Sequence, residues 1–293
     1  MKRVTKILTN NRNRTIQKRV KEDREYLEQL ARLVELPKDV KIERLIVNEI
    51  PSAWLTIPES INENVLLYLH GGGYVTGSIT SHQDLVMRIS RASKMRALII
   101  EYRLAPENPF PAAVEDVLKA YKWLIEKEGI NPQTTIIAGD SAGGGLTLAT
   151  LIKIRDEHLP MPAAGICLSP WTDLAHTGNS IISKAQKDPF ITVYDLIFDA
   201  NLYLGDADPQ NPLASPLYAD LKGLPPLLIQ VGTDEILLDD STRLAERARE
   251  AGVNVQLDVW QDMIHVFQAF ADWAPEGQEA IEKIGQYIQK IVN

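Results

Sequence analysis

The chain has 293 residues, 45% of them apolar, and a formal net charge of −8. That length can bury one large core, as one domain with insertions or as two small domains, and the acidic balance argues against nucleic acid as the main partner. No stretch approaches the ~18 uninterrupted apolar residues that a spanning helix needs, which excludes an integral membrane protein, and the single cysteine, Cys167, excludes an intramolecular disulfide framework.

The N-terminus has a charged start with no apolar run of signal-peptide length behind it, so a cytoplasmic protein is expected. From Lys2 to Lys21 the chain carries Lys2, Arg3, Lys6, Arg12, Arg14, Lys18, Arg19 and Lys21 with no acid among them. This run reads as a solvated helix face rather than an arm for an anionic surface. Tyr26, Leu27, Leu30, Ala31, Leu33 and Val34 repeat at helical spacing, which predicts an amphipathic helix over 21–34 ending before Pro37. Two β-type runs follow, 43–50 and 53–57, with Pro51 and Ser52 as the turn of an antiparallel hairpin.

Beyond this the rhythm becomes buried strand, then helix. Strand-like runs at 65–69, 98–100, 135–138, 165–168, 227–231 and 255–260 set this rhythm, and continuous apolar stretches are what parallel strands covered on both faces should show. Helical patterns around 85–92, 112–126, 146–155 and 243–249 supply the crossovers, and a terminal helix is expected from about 279 to 292. The fold class is therefore α/β, with a mostly parallel central sheet flanked by helices, and Cys167 reads as a small core hydrophobe in one strand. The alternation pauses from Thr172 to Lys222, a segment holding Pro189, Pro209, Pro212 and Pro216, which reads as an insertion over the site. We expect one domain over 1–293, with a helical cap from about 1–40 and about 172–222.

The sharpest chemical signal is Gly139-Asp140-Ser141-Ala142-Gly143 between a predicted strand and a predicted helix. Gly-x-Ser-x-Gly in this context forms a tight turn that projects the serine hydroxyl at the carboxyl edge of the sheet, beside the free N–H groups of a helix start. A second signal, His70-Gly71-Gly72-Gly73, follows the strand at 65–69 and has the form of the oxyanion loop of lipases and esterases. Its glycines let a substrate carbonyl approach backbone donors, so Gly72, Gly73 and Ala142 are the expected oxyanion hole, while His70 is expected to brace the loop.

A serine nucleophile needs a base, and His70, His82, His158, His176 and His265 are the five histidines available. His265 follows the last predicted strand, where the third member of a Ser…Asp…His order belongs. The orienting acid should follow the preceding strand, which selects Asp234. Glu235, Asp239 and Asp240 compete, the later two placed to cap the helix that begins near Leu237. No metal-ligand spacing or phosphate-binding loop is present in the sequence, so neither metal nor cofactor is expected.

Taken in this order, these residues resemble the hormone-sensitive-lipase-like (family IV) bacterial esterases of the α/β-hydrolase superfamily, over about 66–267. Tyr102-Arg103-Leu104-Ala105-Pro106-Glu107, Phe110-Pro111-Ala112-Ala113, Asp188-Pro189 and Ser215-Pro216-Leu217 look like further landmarks of that family. The resemblance implies a Ser-Asp-His triad on Ser141, Asp234 and His265, a small-molecule ester as substrate, and a cap built from N-terminal helices and an insertion. It also suggests a homodimer. One departure is evident: the acid often stands in Asp-Pro-Leu-x-Asp, where this chain has Asp234-Glu235-Ile236-Leu237-Leu238-Asp239. The expected activity is carboxylester hydrolysis on short to medium acyl esters. Lactone hydrolysis or natural-product deacetylation is the alternative. Ligand binding without turnover, as in plant hormone receptors similar to these esterases, is the remote one, and His265 argues against it.

Overall fold

A computed structural model describes residues 2–292, with side chains from 15 to 292. Of the N-terminal cations, Lys2, Arg3, Lys6, Arg12 and Arg14 have side chains outside the described set, so the expectation of a solvated basic face rests there on nothing structural. The backbone forms one helix, α1 (Lys2–Ala31), ending ahead of Pro37 as expected. Its apolar stripe is not what holds it: Tyr26 and Leu30 are 64% and 43% exposed. Polar contacts do so instead, with Arg19 paired to Asp195 at 2.7 Å and Arg24 to Glu107 at 2.8 Å, while Val20 is buried.

Strands β1 (Lys41–Val47) and β2 (Ile50–Thr56) form the expected antiparallel hairpin. The turn, however, is Asn48-Glu49, not Pro51-Ser52: both residues take positive φ, 47° and 72°, the two-residue geometry that matches strand twist. Pro51 and Ser52 lie inside β2, opposite Ile46 and Leu45. Then come β3 (Ile61–Leu69), α2 (Ile79–Ser93), β4 (Met95–Ile100), α3 (Ala112–Glu126), β5 (Thr135–Asp140), α4 (Ala142–Asp156) and β6 (Ala164–Leu168). The segment after β6 carries the short α5 (Ser180–Ser183) and α6 (Val193–Leu204), and β7 (Leu227–Gly232), α7 (Leu238–Glu250), β8 (Val255–Trp260) and α8 (Pro275–Val292) close the chain.

The strands make one sheet in the order β1-β2-β4-β3-β5-β6-β7-β8. Every pair from β4 to β8 is parallel, and β2 joins β4 antiparallel. Strand alternation divides the core between the two faces. Leu67, Leu69, Ile137, Cys167 and Ile229 pack on one side with residues of α3, α4 and α7, and Leu66, Tyr68, Ile136, Ile166 and Leu228 pack on the other with α2 and α8. These side chains are almost wholly buried, each worth roughly 1.5–3 kcal/mol over exposure for a Leu- or Ile-sized group. Sheet burial on both faces thus explains the uninterrupted apolar runs, and burial also raises the Cys167 thiol well above its ordinary pKa. Among the described residues no helix is long and apolar enough to cross a membrane.

Candidate active site

The parallel strands deliver their following loops to one edge, and the candidate residues stand on four of them. After β3, Gly72 and Gly73 adopt φ of 107° and 62°, values that favour glycine. The Gly72 carbonyl accepts from the N–H groups of Val75 and Thr76 at 3.0 and 2.8 Å, curling the loop. His70 is fully buried beneath it, stacked on Tyr102 at 4.3 Å, and its Nδ1 lies 2.8 Å from the Gly71 carbonyl, the arrangement of an N–H donor. Burial, and then His82, drive the His70 pKa down to about 3, so the ring is neutral and structural, as expected. The Tyr102 hydroxyl donates to the His70 carbonyl at 2.7 Å.

Asp140, beside the serine, ties that loop to the turn after β5. Its carboxylate accepts from the Gly71 N–H at 3.1 Å and the Tyr68 hydroxyl at 2.8 Å, and lies 3.3 Å from His82 Nε2. Burial opposes its charge, but His82, the Tyr68 hydrogen bond and His70 outweigh that and hold its pKa below the usual range. A Cβ on Gly71 would stand 2.2 Å from Asp140 Oδ2, so this contact requires glycine. Arg24 braces the far side, its guanidinium donating to the carbonyls of Val75 and Ala105 at 2.8 Å each.

Ser141 sits at φ 52°, ψ −120°, a strained conformation for a non-glycine residue, and its side chain makes no capping bond to α4. The strain is held by backbone hydrogen bonds. The Ser141 N–H donates to the Leu168 carbonyl at 2.8 Å, and its own carbonyl accepts from Gly145 and Trp171 at 3.1 and 2.9 Å. A Cβ on Gly143 would fall 2.0 Å from the Leu69 carbonyl oxygen, so β3 and the first turn of α4 can meet only without a side chain there. Ala142 begins α4, where N–H groups lack intrahelical partners.

His265 follows β8 and is 2% exposed. Its partner corrects the sequence expectation: Nδ1 lies 2.8 Å from Glu235 Oε2, not from Asp234. Glu235 is fully buried, and its Oε1 accepts from the Gly232 N–H at 2.6 Å and the Ser169 hydroxyl at 2.8 Å. The Ser169 oxygen in turn accepts from the Val266 N–H at 3.1 Å, locking the residue after the histidine. Asp234 is displaced for a backbone reason. Past the end of β7, the N–H groups of Thr233 and Asp234 still bond the Trp260 and Met263 carbonyls, at 2.9 and 3.0 Å, so the chain turns inward one residue later. The Asp234 carboxylate instead meets Lys184 at 3.5 Å and Lys187 at 3.3 Å.

The later acids do not cap α7. Asp239 accepts from the Ser180 N–H at 3.0 Å, and the buried Asp240 accepts from the N–H groups of Thr172 and Asp173 at 2.7 and 2.9 Å. Both tether the segment after β6. Asp188 does so as well, taking the Ile236 N–H at 3.0 Å, one residue beyond Glu235. Phe190 then stands with its ring 6.2 Å from that of His265 and 5.9 Å from that of Phe270, an apolar wall beside the imidazole. Glu235, only a competitor in the sequence, takes the place expected of Asp234. The signal was in the pattern itself: set on Leu237 and Asp239, Asp-Pro-Leu-x-Asp places its first acid at position 235. Among the described residues, His, Cys, Asp and Glu side chains do not gather in threes as metal ligands would.

Known proteins share the fold and much of the sequence. A family model described as "alpha/beta hydrolase fold" matches residues 66–269. An "Acetyl-hydrolase" of Streptomyces hygroscopicus is 44% identical over 232 residues, 79% of this chain and 77% of that one. An "Esterase" of Acinetobacter venetianus is 34% identical over 265 residues, 90% and 87% of the two chains. A solved esterase from the bacterial hormone-sensitive lipase (HSL) family superposes with a TM-score of 0.91 at 48% identity, covering 94% of this chain and 92% of its own. The chain belongs to the α/β-hydrolase family, in the branch of the bacterial hormone-sensitive-lipase esterases.

Proposed function

We propose that this protein hydrolyses carboxylic esters through an acyl-enzyme on Ser141, with His265 as general base and Glu235, in place of Asp234, as the orienting acid. The observation that carries the reading is the His265–Glu235 pair: buried, 2.8 Å apart, and on the same sheet edge as a strained serine with no capping duty. A carboxylate on Nδ1 keeps the proton there, which leaves Nε2 as the acceptor for the Ser141 proton. As Ser141 Oγ attacks the ester carbonyl, its proton passes to His265 Nε2, and the new oxyanion is met by the N–H groups of Gly72, Gly73 and Ala142. Collapse breaks the carbon–oxygen bond to the alcohol, which takes the proton from His265. Water then enters and gives a proton to the same nitrogen as it attacks the acyl carbonyl; collapse breaks the bond to Ser141 Oγ, which takes that proton back from His265 as the acid leaves.

In this reading α1 and the 172–222 segment form the cap of a single domain. Their contact through Arg19 and Asp195 and the apolar wall of Phe190 support a compact acyl pocket, suited to short and medium chains. Deacetylation is the second reading, favoured by the Streptomyces relative's name. An acyl-chain series of soluble esters, run beside acetylated alcohols, lactones and triglyceride emulsions, tests both. Fastest turnover is expected below about ten acyl carbons, and faster hydrolysis of long-chain emulsions would overturn the compact pocket.

A further inference from the structure

Helix α6 meets the oxyanion loop through two side chains one turn apart. Tyr203 stacks on Tyr74 with centroids 3.7 Å apart and rings 5° from parallel. Asp199 lies against Gly73: a Cβ built there would stand 2.2 Å from Asp199 Oδ2 and 2.8 Å from its Cγ. The carboxyl group therefore packs on the backbone of a residue assigned above to oxyanion donation. We propose that Asp199 is a positioning residue of the oxyanion loop, seating Gly73 as an uncharged carboxylic acid and opposing ester turnover once it carries charge. This rests on the reading of Ser141 as nucleophile.

Burial favours the uncharged form of that carboxyl, and the charged groups around it act with both signs. On α6, Asp195 stands one turn before it, a like charge; from α1 come Arg19 and Asp23. The guanidinium of Arg19 lies 3.9 Å over the Phe198 ring, with its ion pairs to Asp195 at 2.7 Å and Asp23 at 3.4 Å. From the loop, Tyr74 is the titratable neighbour, and burial raises its phenol far out of the working range. Burial first, and then Asp195, with Asp23 adding and Arg19 opposing, push the Asp199 carboxyl up to about 8. Below that pH, Gly73 has a neutral, polar support. Above it, a negative charge rests on the loop whose donors must stabilise a second negative charge at the transition state. A like charge several ångströms away at an effective dielectric near 20 is worth about a 10- to 100-fold loss in rate.

The test measures kcat/KM for a soluble short-chain ester between pH 6.5 and 9.5, in wild type and Asp199→Asn, with spontaneous hydrolysis subtracted and fluorophosphonate labelling of Ser141 followed in parallel. Asn keeps the shape of the carboxyl without its ionisable proton. Wild type is expected to lose about 10- to 100-fold between pH 6.5 and 9.5, in turnover and labelling rate alike. Asp199→Asn should change less than about twofold over the same span, a pH-independence that a merely structural role would not produce. If Asp199→Asn fails to fold, Asp199→Ser, smaller and equally uncharged, should show the same flat profile. A wild-type profile flat to pH 9.5 would overturn the proposal, as would the full alkaline fall persisting in the folded variant. Labelling in either case would leave the Ser141 assignment standing, whereas no labelling of wild type at any pH would overturn both.

Discussion

Replacing Glu235 by Gln tests the acid assignment at the level of single hydrogen bonds. In the wild type, Oε1 receives the Gly232 N–H and the Ser169 hydroxyl, and Oε2 faces His265 Nδ1. An amide has one oxygen and one NH2 to place. Turning the NH2 toward Gly232 would set two donors 2.6 Å apart, so the amide oxygen stays there and the NH2 faces the imidazole. Nδ1 must then accept, the ring proton moves to Nε2, and the nitrogen meant to take the Ser141 proton is blocked. In a chymotrypsin-type triad the same change of acid to amide lowers kcat about 10⁴-fold, roughly 5.5 kcal/mol of barrier. Steady-state hydrolysis of a short-chain ester, with folding checked by circular dichroism, should show a loss of that order for Glu235→Gln. Asp234→Asn gives up only ion pairs to Lys184 and Lys187 at a partly exposed site, so its turnover should stay within about threefold and its stability within ~1 kcal/mol. A thousandfold loss in Asp234→Asn, with Glu235→Gln near wild type, would refute the reasoning.

Gly73→Ala should lower kcat about 10²- to 10³-fold, the cost of a lost oxyanion donor, because the new methyl collides with Asp199 Oδ2 at a backbone of φ 62°; kcat within threefold of wild type would count against Gly73 as a donor. Asp240 is a carboxyl that burial raises to about 8, so folding favours its neutral form. Its contribution to stability is full below the unfolded pKa, near 3.9, and is lost as pH climbs through 8. Asp240→Asn should therefore gain stability on wild type between pH 4 and 9 in urea denaturation, and a difference constant with pH would contradict this.

Much of this fold was legible because its physics is repetitive. Runs such as Val65–Leu69 and Thr135–Ala138 are apolar at successive positions only because helices cover both faces, and the β3, β4, β5, β6 and β7 assignments follow from that, whereas the edge strand β8 is only partly buried and interleaves Gln256 and Asp258 with its apolar residues. The Ser141 turn and the His70–Gly73 loop were legible for a different reason: backbone geometry there admits few residues, as the close approaches at Gly71 and Gly143 demonstrate. The hairpin turn at Asn48-Glu49 is not where the sequence points because Pro51 is the stronger local turn signal, yet Pro51 sits near the start of β2, one residue before the pairing with β4 begins at Ser52, where a missing N–H is tolerated. The carboxylate that pairs with His265 stands one residue later than the end of β7 suggests. Two further backbone hydrogen bonds to the β8 loop, invisible in sequence, carry the chain past Asp234 before a side chain can turn toward His265. Other landmarks acquired physical roles only in three dimensions. Tyr102 supports His70, Glu107 holds Arg24, and Arg103 is paired to the buried Asp116 at 2.8 Å.

The central claim is that Ser141 carries the acyl group. Intact-mass measurement after fluorophosphonate treatment, followed by peptide mapping, addresses it most directly. One adduct per chain is expected, on the peptide holding Gly139–Gly143, with ester turnover lost in step with labelling and with neither labelling nor turnover in Ser141→Ala. An adduct on another residue, or substantial turnover surviving in folded Ser141→Ala, would contradict the account.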